Sequence, residues 1–487
     1  MRARLCLSLV GFSHLCAAAA AQERPNTVPP PNVASSQIYI THVTVIDTVT
    51  GKEAKDRTVV ISGERISEVR DSEEVRLPTD AKVVDAKGKY LIPGLWDMHT
   101  HALFQERVAS MFPMFVGNGV LGIRDMGSPM NLADIDRLRK EVTTGSRLGP
   151  RIVAAGPILD GHEKPEHPNF IAITTAEQGR EMVRSLKTGG ADFVKVYSWL
   201  SRDSFLAITD EANKQNIPFA GHVPFSVSAL EASDAGQKSM EHLRGIALAC
   251  SAREEEIRNE LVKGGTSVSH AALNHLEIEE AGASYSGKKA GRVFAHLAKN
   301  HTWQVPTFAA DLPDSLSFDT RVTSDPRLRY IPLSVQGRWN KRATSVAGSS
   351  PWGKFHKQRL EMLGAMHRAG VPVLAGTDTS WILPYTYAGF SLHDELALLV
   401  RAGLTPIESL QTATINPARF LGLEKDLGSV EKGKIANLVL LDADPLADIH
   451  NTTKISVVFL AGKEFARPAL DQMLKSAEAA AKSAVVQ

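Results

Sequence analysis

Apolar and polar positions follow two rhythms along this chain. From Ile38 to Ile46 they alternate around Thr and Val, and short runs of the same kind recur at 58–62, 75–77 and 82–84, separated by Gly, Asp and Lys turns. The far end repeats the style at 438–441 and 455–460, with Gly433 and Gly462 as punctuation. Two β-rich ends around a long middle predict one small β-sandwich built from both termini. The middle alternates strand with helix. Eight β-prone segments fall at 97–103, 120–126, 151–159, 192–197, 218–223, 239–243, 302–308 and 371–378, with helical periodicity between them at 175–188, 201–215 and 292–300. Eight β-then-α units over about 330 residues predict an α/β fold, a (β/α)8 TIM barrel; a doubly wound sheet rarely needs so many regular units. Residues 311–355, between the last two barrel strands, read as a lid or loop excursion.

The first residues change the picture of where this domain works. Arg2 and Arg4 precede an apolar stretch from Leu5 to Leu15, and small residues from Ala17 to Ala21 offer a cleavage site, so 1–21 read as an export signal. A Pro-rich linker (22–36) follows, then the β-sandwich halves (37–92 and 428–470) on either side of the barrel (93–427), and a tail (471–487). A secreted or periplasmic protein is expected. Of three cysteines, Cys6 and Cys16 leave with the signal, so Cys250 has no intrachain partner. Formal net charge is +1, which gives no global field toward nucleic acid or an acidic membrane surface. No later stretch approaches the roughly 18 apolar residues that a membrane span needs. Self-association stays open.

Candidate chemistry gathers at the ends of the expected strands. His99 and His101 are two apart on the first, so both imidazoles face the same way. Such a pair alone is equally a polar strand edge. Lys195 closes the apolar run of Phe193 and Val194, where an unpaired cation is costly. His222, His242 and Asp378 close the fifth, sixth and eighth segments. In a barrel, functional residues collect at this rim.

The run Pro93-Gly94-Leu95-Trp96-Asp97-Met98-His99-Thr100-His101 resembles the opening metal motif of the amidohydrolase superfamily, and Lys195, His222, His242 and Asp378 follow in that superfamily's order. The tail 428–439 resembles its second sandwich half, apart from Asn437, where Asp is usual. The likeness to its prolidase-like, carboxypeptidase-like and imidazolonepropionase-like members implies two divalent metal ions, with zinc expected and manganese or cobalt able to replace it. His99, His101 and Asp378 would hold the more buried ion, His222 and His242 the other, and a carboxylated Lys195 would bridge them. The implied reaction is attack of a metal-activated water on a carbonyl, with Asp378 accepting the proton and passing it to the leaving nitrogen.

Substrate contacts are read more coarsely. Tyr197 shares a strand face with Lys195 and is expected to reach the substrate carbonyl, or else to pack within the barrel. His162, after the third strand, matches a loop that prolidase-like members use near the substrate carboxylate, although Glu163 and Lys164 depart from the glycine-rich form. Arg124 and Asp125 read as a structural ion pair. Trp381, Tyr385 and Tyr387 either line a pocket or pack their loop, and His393, Asp394 and Glu395 read as a structural helix opening. The expected activity is hydrolysis of an amide C–N bond in a dipeptide or N-acyl amino acid. The alternatives are opening of a cyclic amide or lactone, and a non-catalytic metal- or ligand-binding barrel.

Overall fold

The computed structural model describes residues 37–165, 167–268, 272, 273, 275–315, 324–346 and 352–484. The expected export signal and Pro-rich linker lie outside these, as do 316–323 and 347–351 of the expected lid. The chain enters through β1 (Ile38–Ile46), β2 (Glu53–Ser62), β3 (Arg65–Asp71), β4 (Lys82–Asp85) and β5 (Tyr90–Pro93). β1 is the hub. One edge pairs antiparallel with β2, while the other pairs with β4 over Ile38–Thr41 and then with β5 at Thr44 and Val45. The change of partner falls at His42, which adopts a left-handed φ of 56° in a register shift, the local geometry of a bulge. No strand forms at 75–77; β3 takes that place in the sheet, with Ile66 its only buried side chain. A strand that buries one residue in seven leaves little periodic signal.

Nine strands follow, all in parallel pairs: β6 (Leu95–Thr100), β7 (Val120–Asp125), β8 (Arg151–Ala154), β9 (Ile158–Asp160), β10 (Phe170–Ala172), β11 (Val194–Val196), β12 (Phe219–Gly221), β13 (Ser239–Glu241) and β14 (Trp303–Val305). They form a three-stranded sheet β6-β7-β8 and a six-stranded sheet β10-β9-β11-β12-β13-β14. Backbone bonds continue the order past the sheet ends. The Asp192 N–H donates to Ala154 O at 3.0 Å, linking β8 to the chain that enters β11. Leu374 N–H donates to Gln304 O, and Met98 N–H to Ala375 O, each at 2.9 Å, so residues 371–379 bridge β14 to β6. The hydrogen-bonded circuit returns to its start, which is consistent with the expected barrel. Its eighth member makes only isolated bridges at Val373 and Thr379. The third expected segment breaks in two at Gly156, whose φ is +77°.

The tail returns as β15 (Leu438–Leu441), β16 (Ile455–Leu460) and β17 (Lys463–Ala466) and joins the first sheet in the order β17-β16-β15-β5-β1-β2-β3, with β4 beside β1. Strands from both chain ends therefore share one forked, eight-stranded mixed sheet around Ile40, Val59, Leu438 and Phe459. Residues 467–483, largely expected as a plain tail, form a helix that buries Leu470, Met473 and Ala477. It packs closely on the helix Gln105–Gly117, where a Cβ on Gly117 would stand 3.0 Å from Leu474.

The described part of 311–355 is helical rather than looped, with helices at Phe308–Ser315, Leu333–Val346 and Trp352–Arg368. Trp339 anchors it in the core: 1% exposed, it donates from Nε1 to Trp381 O at 3.0 Å and packs on Tyr385 and Tyr387. All three loop aromatics are buried, so they pack their loop.

Candidate metal centre

The site grows from the alternation of β6. Asp97 and His99 lie on one side of the strand, both fully buried, and His101 follows directly after its end. Asp97 ties the strand to its neighbour: its Oδ1 accepts from Thr377 N–H at 3.0 Å and its Oδ2 from the Thr377 hydroxyl at 2.6 Å. That stitch sets Asp378 beside the two imidazoles. Asp378 Oδ1 is 3.5 Å from His99 Nε2 and 3.3 Å from His101 Nε2. The candidate ligand atoms of His99, His101 and Asp378 lie within 4.8 Å of one another.

Two more imidazoles close the cluster. His242 Nδ1 stands 3.7 Å from Asp378 Oδ2, and its ring centroid is 4.6 Å from that of His99. His222 lies 4.9 Å from His242, centroid to centroid, and Tyr197 stacks on His222 at 3.9 Å. Lys195, on β11, is 1% exposed with Nζ 5.9 Å from the Tyr197 ring centroid, and no carboxylate among the described residues lies within 4.0 Å of it. The structure thus gathers His99, His101, His222, His242 and Asp378 in one chain of contacts, with Lys195 and Tyr197 beside it.

Each imidazole is held from behind at Nδ1. His99 Nδ1 donates to Glu241 Oε2 at 2.7 Å, and His101 Nδ1 to Gly127 O at 2.8 Å. His222 Nδ1 meets Ser198 Oγ at 2.8 Å and His242 Nδ1 meets Thr307 Oγ1 at 2.7 Å. A carboxylate or carbonyl can only accept, so the first two rings carry their proton on Nδ1 and present a lone pair on Nε2. His99 Nε2 is buried and has no hydrogen-bond partner. A buried acceptor left unpaired is costly unless something else satisfies it. Imidazole nitrogens and a carboxylate suit zinc and similar divalent ions, so the residues present fit such a group.

The electrostatics agree. Burial brings His99 down to about 4 and holds His222 and His242 well below the usual histidine value, so all three are neutral at pH 7. Burial alone would raise the Asp378 carboxyl, but His99, His101 and Lys195 hold it low and ionised. Burial draws the Lys195 ammonium down to about 8, against the opposing pull of Glu241 and Asp378. Burial raises the Tyr197 phenol to about 12, which keeps it a donor. The backbone is strained around the cluster: His242, Thr307 and Asp378 have φ of 61°, 51° and 55°, a region that side chains other than glycine rarely adopt.

Several functional candidates escape sequence reading. Glu241 is fully buried between His99 and Arg124, whose Nη2 donates to Glu241 Oε1 at 3.0 Å. Arg124 and Asp125 are thus not paired to each other, because adjacent strand residues point to opposite faces. Asp125 instead accepts from the N–H groups of Ala102, Leu103 and Gly127. Arg359 donates to the carbonyls of His242 and Pro306 at 2.6 and 2.8 Å, bracing the loop that carries a cluster histidine. His162 sits one strand end away from the cluster, with Nδ1 donating to Asp160 at 2.7 Å and its ring edge-on to Trp199. His393 is structural, bonded to Thr452 and Asn118.

Comparison with known proteins follows the same lines. The chain is 25% identical over 404 residues to an imidazolonepropionase of Pseudomonas aeruginosa strain UCBPP-PA14, covering 81% of this chain and 89% of that one. Among solved structures it resembles the bottromycin amidohydrolase AH (TM-score 0.71, 22% identity, 92% of this chain and 91% of that one). It also resembles a Xaa-Pro dipeptidase with bound methionine in its active site (TM-score 0.63, 19% identity, 88% and 100%). At these identities the structural likeness speaks for the fold. The amidohydrolase family matches residues 90–465, a span that takes in every histidine of the cluster together with Lys195 and Asp378, and the chain belongs to that family of hydrolases acting on carbon–nitrogen bonds.

Proposed function

We propose that this protein is an exported, binuclear metal-dependent hydrolase that cleaves an amide C–N bond in a small peptide-like molecule, a dipeptide or N-acyl amino acid, at the rim of a (β/α)8 barrel. The observation that carries this reading is the gathering of His99, His101 and His242 around Asp378 with His222 beside His242, each imidazole held at Nδ1 by a partner of its own. Export rests on the pattern of residues 1–21.

His99, His101 and Asp378 would hold one ion and His222 and His242 a second. Divalent ions bound there, zinc foremost, would acidify a shared water and polarise the carbonyl it attacks. Lys195 would help to hold both ions as an N-carboxylate: its buried amine, drawn toward neutrality, would add carbon dioxide through Nζ and lose a proton to give an anion. Asp378 accepts the proton of the attacking water and returns it to the amide nitrogen as the C–N bond breaks, which yields a carboxylate and an amine. Tyr197, protonated and stacked on His222, donates to the substrate oxygen as negative charge develops. His162, oriented by Asp160, would meet a substrate carboxylate.

The test is turnover by zinc-loaded protein of dipeptide and N-acyl amino acid panels, with Asp378→Asn as control. Cleavage of at least one class, lost in the variant, is expected. Intact metal content with no turnover of any member would make a non-catalytic binding protein the better description. The likeness to imidazolonepropionase favours a second reading, opening of a cyclic amide. Loss of ultraviolet absorbance on ring opening, in place of peptide cleavage, would establish it.

A further inference from the structure

A cavity of about 530 Å3 opens at the other end of the parallel strands from the histidine cluster. Its wall is made where strands begin: Arg151 opens β8, and Phe193, Pro218 and Lys238 directly precede β11, β12 and β13. The cluster side chains His222, His242 and Asp378 stand where strands end. The volume falls within the ~300–1,000 Å3 range of small-molecule sites. Phe193 and Phe420 supply flat apolar walls, both almost fully buried, and the β15–β16 end of the terminal sheet closes one side through Asn437, Leu460 and Ala461.

The charges on this wall do not cancel. Arg139 is taken by Asp192 and Arg124 by Glu241. Lys238 is half-buried with Nζ 4.6 Å above the Phe420 ring, and no carboxylate among the described residues comes within 4.0 Å of it. Arg151 is exposed at the rim and is likewise unpaired among the described residues; Glu64, also exposed, is the one further carboxylate of the lining. Asn437 accepts from Ala461 N–H through Oδ1 at 2.7 Å, which leaves its Nδ2 as a donor. The polar groups left over in the wall are donors, and two of them are cations with no carboxylate within 4.0 Å among the described residues, although the Arg151 charge still reaches Asp192.

We propose that this cavity is a second binding site, distinct from the metal centre, for a small carboxylate with an aromatic body, its carboxylate on Lys238 and Arg151 and its ring against Phe193 and Phe420. A half-buried ammonium over an aromatic face gains from an anion that completes its hydrogen bonds, and the flat walls exclude a strongly hydrated polyanion. The inference does not depend on the reaction at the other end of the strands.

The experiment is calorimetric titration of the metal-loaded protein with 3-phenylpropanoate, with 3-phenylpropanamide and inorganic phosphate as control ligands, and a crystal soaked with the acid. Saturable binding of the acid is expected, with density beside Lys238, and binding of the amide or of phosphate weaker by about tenfold or more, the loss of one charge-assisted hydrogen bond. Lys238→Met should weaken the acid to the same degree and leave the amide unchanged. No saturable binding, an amide that binds as tightly as the acid, or density only against the histidine cluster would overturn the proposal. The amide comparison uses the unaltered protein, so it stands even where Lys238→Met fails to fold.

Discussion

The carboxylate of Glu241 accepts the Nδ1 proton of His99 at 2.7 Å, and neither side chain is exposed to solvent. The same carboxylate neutralises the buried guanidinium of Arg124, which brings the acid down to about 2 against the effect of burial. One anion thus fixes the tautomer of a candidate ligand and balances the buried cation of Arg124 on β7. Glu241→Gln keeps the shape and removes the charge. Metal affinity should fall by about 10–100-fold, as it does when the outer partner of a ligating histidine is lost. Stability should fall by about 3 kcal/mol, because Arg124 is left uncompensated. Metal titration and denaturant unfolding check both; an unchanged metal affinity would separate Glu241 from the site.

Lys195 is buried with no carboxylate among the described residues within 4.0 Å, although Glu241 and Asp378 both act on its charge. Lys195→Met keeps much of the side-chain volume and abolishes the nitrogen that would be carboxylated. Metal content should drop from two ions per chain toward one, with turnover lost. Mass spectrometry of the unaltered metal-loaded protein under non-denaturing conditions should show the added mass of one carbon dioxide. Two ions still bound in Lys195→Met would reject the bridge.

Trp339 makes a different claim, that the segment between the last two strands is core rather than cover. Trp339→Ala removes a side chain that is 1% exposed and the donor to Trp381 O. Unfolding free energy should fall by about 3–5 kcal/mol, the usual cost of deleting a buried tryptophan. A fall of less than about 1 kcal/mol would fit a loosely held lid instead.

His393 gives the protein an acid-sensitive joint. Burial drives its imidazole down to about 4, while an unfolded chain would titrate near 6.5. The folded state therefore resists a proton that the unfolded state accepts. Stability from this group is complete above about pH 6.5 and is lost as pH falls toward 4, by at most about 3 kcal/mol. His393→Gln retains hydrogen bonding without titrating. Its midpoint of thermal unfolding should fall less steeply between pH 6.5 and 4 than that of the unaltered protein, and parallel curves would contradict the assignment.

What could be read from the sequence has a physical boundary. The long terminal strands β1, β15 and β16 are legible, since nine, four and six residues of consistent apolar patterning mark them. The strands β11 to β14 have three residues each, too few for alternation to register, and β11, β12 and β13 are legible mainly as apolar runs that carry Lys195 or lead into His222 and His242. The candidate ligands stand out because histidine at a strand end is chemically unusual. Glu241 does not, although it sits beside His242, because a lone carboxylate is ordinarily solvated. Its meaning depends on Arg124, 117 positions away in the chain. The helix at 467–483 escapes notice because the second half of its buried face is alanine, Ala477 and Ala481, and carries little apolar contrast.

The left-handed backbone at His242, Thr307 and Asp378 reaches beyond catalysis. Each such position costs on the order of 1–3 kcal/mol that a glycine would avoid, and the β-branched Thr307 is the least at ease. Selection of this protein for heat resistance alone would favour glycine there. The variants that survived best would be those whose His242 ring had lost its anchor, so thermal hardiness and competence pull this chain in opposite directions.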